Sequence, residues 1–132
     1  CGLEHLTRLE ELYLGAKRLP DDISPLSGMQ ALRVLSISGS EDEGLDNIDA
    51  LSQLYSLEEL CLWHNRIRDV SPLKKLTRLT NLNLSYNQIE DISPLAGLTA
   101  LRYLYLAHNR IADFSAVENL PGLLCLGKTN NL

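Results

Sequence analysis

Apolar positions along this chain alternate between two spacings. Leu57, Leu60 and Leu62 open a stretch that closes at a polar Asn65, whereas Leu73, Leu76 and Leu79 fall three apart. The L-x-L pair has the period of two of a strand with one face inward. The spacing of three suits a single short 3₁₀ or α turn. The cycle then restarts at Leu79, Leu101 and Leu123, each 22 residues after the last. A fixed period of this length signals stacked coils of chain, each too small to bury its own apolar side.

The unit reads L-x-x-L-x-L-x-x-N-x-I-x-D-I-S-P-L-x-x-L-x-x. A first coil runs from Leu9 with one extra residue near Pro20–Asp22, and a second starts at Leu32 with three extra in the acidic stretch Glu41–Gly44. The coils from Leu57, Leu79 and Leu101 are regular, and a sixth begins at Leu123. Leu3, Leu6 and Leu9 match Leu73, Leu76 and Leu79, which puts Cys1-Gly2 in the place of Ser71-Pro72. Residues 1–132 therefore form one domain of about five full repeats with partial repeats at both ends. Neither end carries the polar cap that stacked repeats use for solubility. The expectation is a piece of a longer array, with end-to-end self-association as a route to dimers.

Within the unit each polar position has a task. Asn65, Asn87, Asn109 and Asn131 end the strands, and their amides can serve backbone groups of adjacent coils as a structural ladder. Lys17 and Ser40 replace the asparagine in the two irregular coils, where the ladder should be weaker. Ser24-Pro25, Ser71-Pro72 and Ser93-Pro94 place a serine, expected as a capping hydroxyl, before a proline at the first helical position. Asp69, Asp91 and Asp113 recur at the bend, where a turn role is expected.

The run N-Q-I-E-D-I-S-P-L-A-G-L-T-A-L, from Asn87 to Leu101, resembles the 22-residue leucine-rich repeats of bacterial internalins and of the SDS22-like class. The resemblance extends from Leu3 to Asn131. It implies an α/β fold: a right-handed leucine-rich repeat solenoid with a parallel concave sheet and short 3₁₀ or α turns on the convex side. That family binds many different partners; the function expected from the concave residues is a non-catalytic module that binds another protein. The insertions in the first two coils depart from the pattern. So does Lys128, which stands where a buried leucine like Leu106 is expected and puts burial of the last strand in question.

The third, fifth, seventh and eighth places of the strand unit point to the concave face. Five of the seven aromatics fall there: Tyr13, Trp63, Tyr86, Tyr103 and Tyr105. Exposed Trp and Tyr among scattered polar groups are the composition of protein-binding hot spots, although cross-strand stiffening alone would also use them. Glu59, His64, Asn81, Asn83 and His108 surround the aromatics and would tune specificity. Phe114 takes the buried place of Ile92, and Tyr55 belongs to the convex side. The alternative function is a regulatory or spacer segment of a multidomain signalling protein, associated with a GTPase or a phosphatase.

Composition removes several other classes. The net charge is −5 with no basic run, which argues against nucleic acid. No stretch of 18 apolar residues implies a membrane span. Cys61 and Cys125 lie three coils apart, ~14 Å at strand spacing, beyond disulfide reach. Unpaired thiols favour a reducing, cytoplasmic setting over a bacterial surface, which Cys1-Gly2 as a lipid-anchored mature start would require. Gly122 to Thr129 satisfies G-x-x-x-x-G-K-T, but its loop reads as the next strand and no helix follows. Cys61 with His64 lacks the cleft of a thiol dyad. His64 and His108, two coils apart, are too distant for one metal ion. The acidic insertion lacks calcium-loop spacing and reads as a solvated loop or a contact for a basic partner. No cofactor and no metal are expected, and no enzyme activity.

Overall fold

The computed structural model describes residues 7–15, 22–40 and 42–131. Six short strands follow one another: β1 (Glu11–Leu14), β2 (Val34–Ile37), β3 (Glu59–Cys61), β4 (Asn81–Asn83), β5 (Tyr103–Tyr105) and β6 (Cys125–Gly127). They form one open parallel sheet in chain order. Each strand returns to the next through a short turn: 3₁₀ segments at Ser24–Gly28, Asp49–Leu51, Ser71–Leu73 and Ser93–Gly97, then a single α turn, α1 (Ser115–Glu118). The result is a right-handed solenoid, the hand that parallel strand-crossover-strand connections take. Among the described residues no helix is long and apolar enough to cross a membrane. The inserted residues at Pro20–Asp21 and the position of Lys17 lie outside the described residues, as does Cys1-Gly2.

The core is a set of columns running along the stack. Leu35, Leu60, Leu82 and Leu104 form one, and Ile37, Leu62, Leu84 and Leu106 another, all essentially inaccessible to solvent. Ile67, Ile89 and Ile111 continue it behind the sheet, and Leu73, Leu95 and Val117 fill the turn side. Each such side chain contributes about 2 kcal/mol by leaving water. Burial thins toward the first and last coils, where Leu9, Leu12, Leu14, Leu123 and Leu126 are only partly covered. Lys128 is exposed: its Nζ meets Glu118 Oε1 at 3.1 Å and lies 5.4 Å from the centre of the Phe114 ring. β6 keeps its pairing with β5, but all three of its residues are half-buried. Phe114, expected as buried as Ile92, is also only half-buried, because a lysine rather than a leucine stands over it.

The asparagines solve the problem that a sharp inward turn creates for backbone polar groups. Asn87 Nδ2 donates to the carbonyls of Leu62 and Leu84 at 3.0 and 2.9 Å, and its Oδ1 accepts the Ile67 N–H at 3.0 Å. Asn65, Asn109 and Asn131 repeat this pattern, each reaching one coil back. Ser40 does not reach back. Its hydroxyl instead closes the inserted loop with the Glu43 N–H and carbonyl at 3.1 and 3.3 Å. Gly39 precedes it where His64 stands in the third coil. A Cβ there would come within 2.5 Å of the His64 carbonyl oxygen, so only glycine fits.

The turn caps differ from the serine expectation. Ile23, Val70 and Ile92 occupy the cap positions, and none makes a side-chain capping bond. The caps come from the aspartates two residues before each serine. Asp22, Asp69, Asp91 and Asp113 accept the N–H of Ser24, Ser71, Ser93 and Ser115 at 2.8–2.9 Å. The serine itself is the first residue of the tight turn, so its own N–H needs the acceptor. In the second coil, Asn47 Oδ1 does the same for the Asp49 N–H at 2.9 Å.

Candidate functional site

Alternation along each strand sends the leucines inward and leaves the intervening side chains on the open face. Register aligns them across the sheet in rows. Glu11, Val34, Glu59, Asn81, Tyr103 and Cys125 make one row; Tyr13, Ser36, Cys61, Asn83, Tyr105 and Gly127 make the next. Trp63 and Tyr86 extend from the strand ends beyond these rows. The five aromatics are between 37% and 66% exposed, far from the burial that a core role demands. Tyr105 leans over Gly127, where an added Cβ would lie 3.2 Å from Tyr105 Cδ1.

One continuous aromatic strip lies along the ends of β3 to β6. Trp63 packs edge-on against Tyr86 with ring centres 5.8 Å apart and against His64 at 5.0 Å. Tyr86 stacks on His108 at 4.1 Å with planes 12° apart, and His64 approaches it from the other side at 5.7 Å. His108 Nε2 then meets Asn130 Nδ2 at 2.9 Å. Beside this strip an open groove of about 250 Å³ is lined by Ser40, His64, Arg66, Tyr86, Gln88 and His108. So Trp63, His64, Tyr86 and His108 are brought together. Tyr103 and Tyr105 stand on β5 beside Asn81 and Asn83 of β4, and Tyr13 sits apart on β1.

Sequence reading missed the backbone that makes this strip. His64, Tyr86, His108 and Asn130 all have left-handed φ angles, between 54° and 62°. The chain leaves β3, β4, β5 and β6 by this turn, which throws the side chain outward and the following asparagine inward. His and Asn are enriched in that conformation, which is the one signal a sequence offers; Tyr86 gives none.

An ion-pair cluster lies on the rim at the strand starts. Arg33 grips Glu58 through Nε and Nη2 at 3.3 and 3.0 Å and approaches Glu10 at 3.8 Å, while Arg78 adds a 3.5 Å contact to Glu58. Hydrogen bonding from Arg33 holds the Glu58 carboxyl below its ordinary range. On the face itself, partial desolvation raises the Tyr13 phenol, and the fields of Glu11 and Glu59 push it the same way.

The sharper chemical patterns dissolve at this level. In the G-x-x-x-x-G-K-T run, Cys125–Gly127 is a strand, and Lys128 is turned to Glu118 and Phe114. Cys61 aligns with Ser36 and Asn83 inside the sheet, whereas the His64 ring is packed on Trp63 and Tyr86. Cys61 and Cys125 are both free thiols. The Tyr86 ring separates His64 from His108.

Similarity to known proteins agrees with this geometry. The leucine-rich-repeat family, in its two-copy form, matches residues 55–97. An internalin (InlF) of Listeria monocytogenes is 33% identical with a TM-score of 0.89, over 98% of this chain and 37% of that one. An internalin C2 from the same organism is 35% identical with a TM-score of 0.84, over 98% of this chain and 56% of that one. The leucine-rich-repeat ectodomain of the plant membrane receptor kinase GASSHO1/SCHENGEN3 from Arabidopsis thaliana, in complex with CASPARIAN STRIP INTEGRITY FACTOR 2, is 25% identical. Its TM-score is 0.80, and the match covers 98% of this chain and 16% of that one. No curated protein sequence aligns significantly with it. The chain is a leucine-rich repeat protein. Within that class its repeats are of the internalin-like kind, and it spans only 37% and 56% of the two internalins.

Proposed function

We propose that this chain is a non-catalytic protein-binding module whose concave face grips a partner through Tyr13, Trp63, Tyr86, Tyr103 and Tyr105. Glu59, His64, Asn81, Asn83 and His108 set specificity around these rings. One observation carries the reading: five large aromatic side chains stand exposed on a single open face. Such rings, with few rotatable bonds and a polar tip, give contact area at small ordering cost. The stacked coils hold them in place before a partner arrives, which favours affinity. A receptor ectodomain of the same fold, solved in complex with its factor, supports the reading by likeness.

The test is capture of partners from a lysate by the intact chain and by Trp63→Ala/Tyr105→Ala, followed by affinity measurement on the captured protein. The double change should weaken binding by at least about 100-fold, since two central hot-spot rings are removed. Circular dichroism should be unaltered because both rings are exposed. Equal affinity of the two forms would sink the reading. The second reading, a regulatory or spacer segment of a larger signalling protein, draws on the same receptor likeness. It predicts a catalytic domain in the flanking gene sequence.

A further inference from the structure

We propose that the β1–β3 end of the concave face receives a lysine- or arginine-bearing segment of the protein partner, with Glu11 and Glu59 as its charge contacts. This rests on the partner-binding reading and adds the chemistry of the contact at one end. The first ground is the sign of the face. Among the described residues that point outward from the sheet, Glu11 and Glu59 are the ones charged at neutral pH; the nearby arginines, Arg33 and Arg78, lie on the rim and are paired with Glu58.

The second ground is space. Glu11 and Glu59 align through Val34, two strand spacings or ~10 Å apart. Between them β2 presents only Val34 and Ser36, whereas Tyr13 on β1 is 66% exposed and Trp63 after β3 is 41% exposed. The result is a trough with small residues on its floor, a ring on either side and a carboxylate at either edge. A guanidinium or ammonium lying there meets carboxylates and a π face together.

The third ground is that these carboxylates are uncommitted. Glu58, one residue before Glu59, is held by Arg33 and Arg78, whereas Glu59 has no ion pair among the described residues. Glu11 makes no ion pair among the described residues: it takes a 3.5 Å contact from the Tyr13 hydroxyl, and its field reaches Arg33, whose guanidinium is hydrogen-bonded to Glu58. Both carboxylates nonetheless act on the same spot, since each raises the Tyr13 phenol, after desolvation. On the rim past the C-terminal end of β2, Asp42, Glu43 and Asp46 are exposed, while Arg66, which donates to the Gly44 carbonyl at 3.1 and 3.2 Å, and Arg68 keep their charge beside Asp46. A basic segment is therefore complementary to the face itself.

Phage-displayed random dodecapeptides panned on the full chain provide the probe. Affinities of the selected peptides are then measured on wild type, Glu11→Gln/Glu59→Gln and Tyr103→Ala/Tyr105→Ala. Selected peptides should be enriched in Lys and Arg. The glutamine pair should weaken them about tenfold and flatten their salt dependence, and the tyrosine pair should weaken them as well. Peptides without basic enrichment, or indifferent to the glutamine pair while sensitive to the tyrosine pair, would overturn this inference and leave the aromatic face standing. Absence of binders, or binders indifferent to both pairs, would overturn the two together.

Discussion

His64, Tyr86 and His108 occupy backbone angles that a residue with a Cβ adopts at a cost of roughly 1 kcal/mol. The cost is tolerated because the following asparagine, once turned inward, satisfies four backbone groups in a buried setting, as Asn109 does with Leu84, Leu106, Ala107 and Ile89. The strain and the ladder are two halves of one device. It follows that His64→Gly should be about 1 kcal/mol more stable than His64→Ala, although both lose the same ring contacts. Urea denaturation of the pair checks this, and equal midpoints would refute it. The outward placement of Trp63, Tyr103 and Tyr105 was legible because a period of two leaves no choice once the leucines are inside. The left-handed turn was not, since Tyr86 is a residue that disfavours it and the offset comes from the bonds Asn87 makes to the neighbouring coil.

At the scale of the element, each convex turn is held by an aspartate taking the N–H of the residue two positions on. Hydrogen bonding from the serine N–H lowers the carboxyl pKa of Asp22, Asp69, Asp91 and Asp113, with the serine side chain as the next cause. A depressed folded pKa contributes stability above the unfolded value, about 3.9, and that stability is lost as pH falls through the folded values. Stability should therefore hold from neutral pH to about pH 4 and decline below it. Asp69→Asn/Asp91→Asn/Asp113→Asn should show a shallower acid decline, since an amide keeps the acceptor without titrating; Asn47 already works this way. Urea midpoints measured between pH 2 and 7 would show parallel curves if the caps carried no such linkage. The existence and spacing of these turns were legible from D-x-S-P alone. Which residue caps was not, because serine and aspartate are both good acceptors and only the turn's tightness decides between them.

For the whole molecule, each coil touches only its neighbours, so stability is a sum of local interfaces rather than one cooperative core. The columns of leucine are complete in the middle and thin toward β6, where Lys128 replaces a core leucine and Leu126 is half-buried. Leu104 and Leu126 hold the same place in adjacent coils, in direct register. Leu104→Ala should cost about 2–5 kcal/mol, the range for a buried leucine. Leu126→Ala should cost about 1 kcal/mol, because less apolar surface was taken from water there. Native-state hydrogen exchange separates local from global damage. The Leu126 change should loosen amides of β6 while leaving those of β3 and β4 protected, whereas the Leu104 change should lower protection in β4, β5 and β6. Uniform loss across the sheet from Leu126→Ala would mean a single cooperative unit. If the loss is local, Leu126→Ala also leaves the trough over β2 and the rings of β3–β5 intact, and partner binding should survive it.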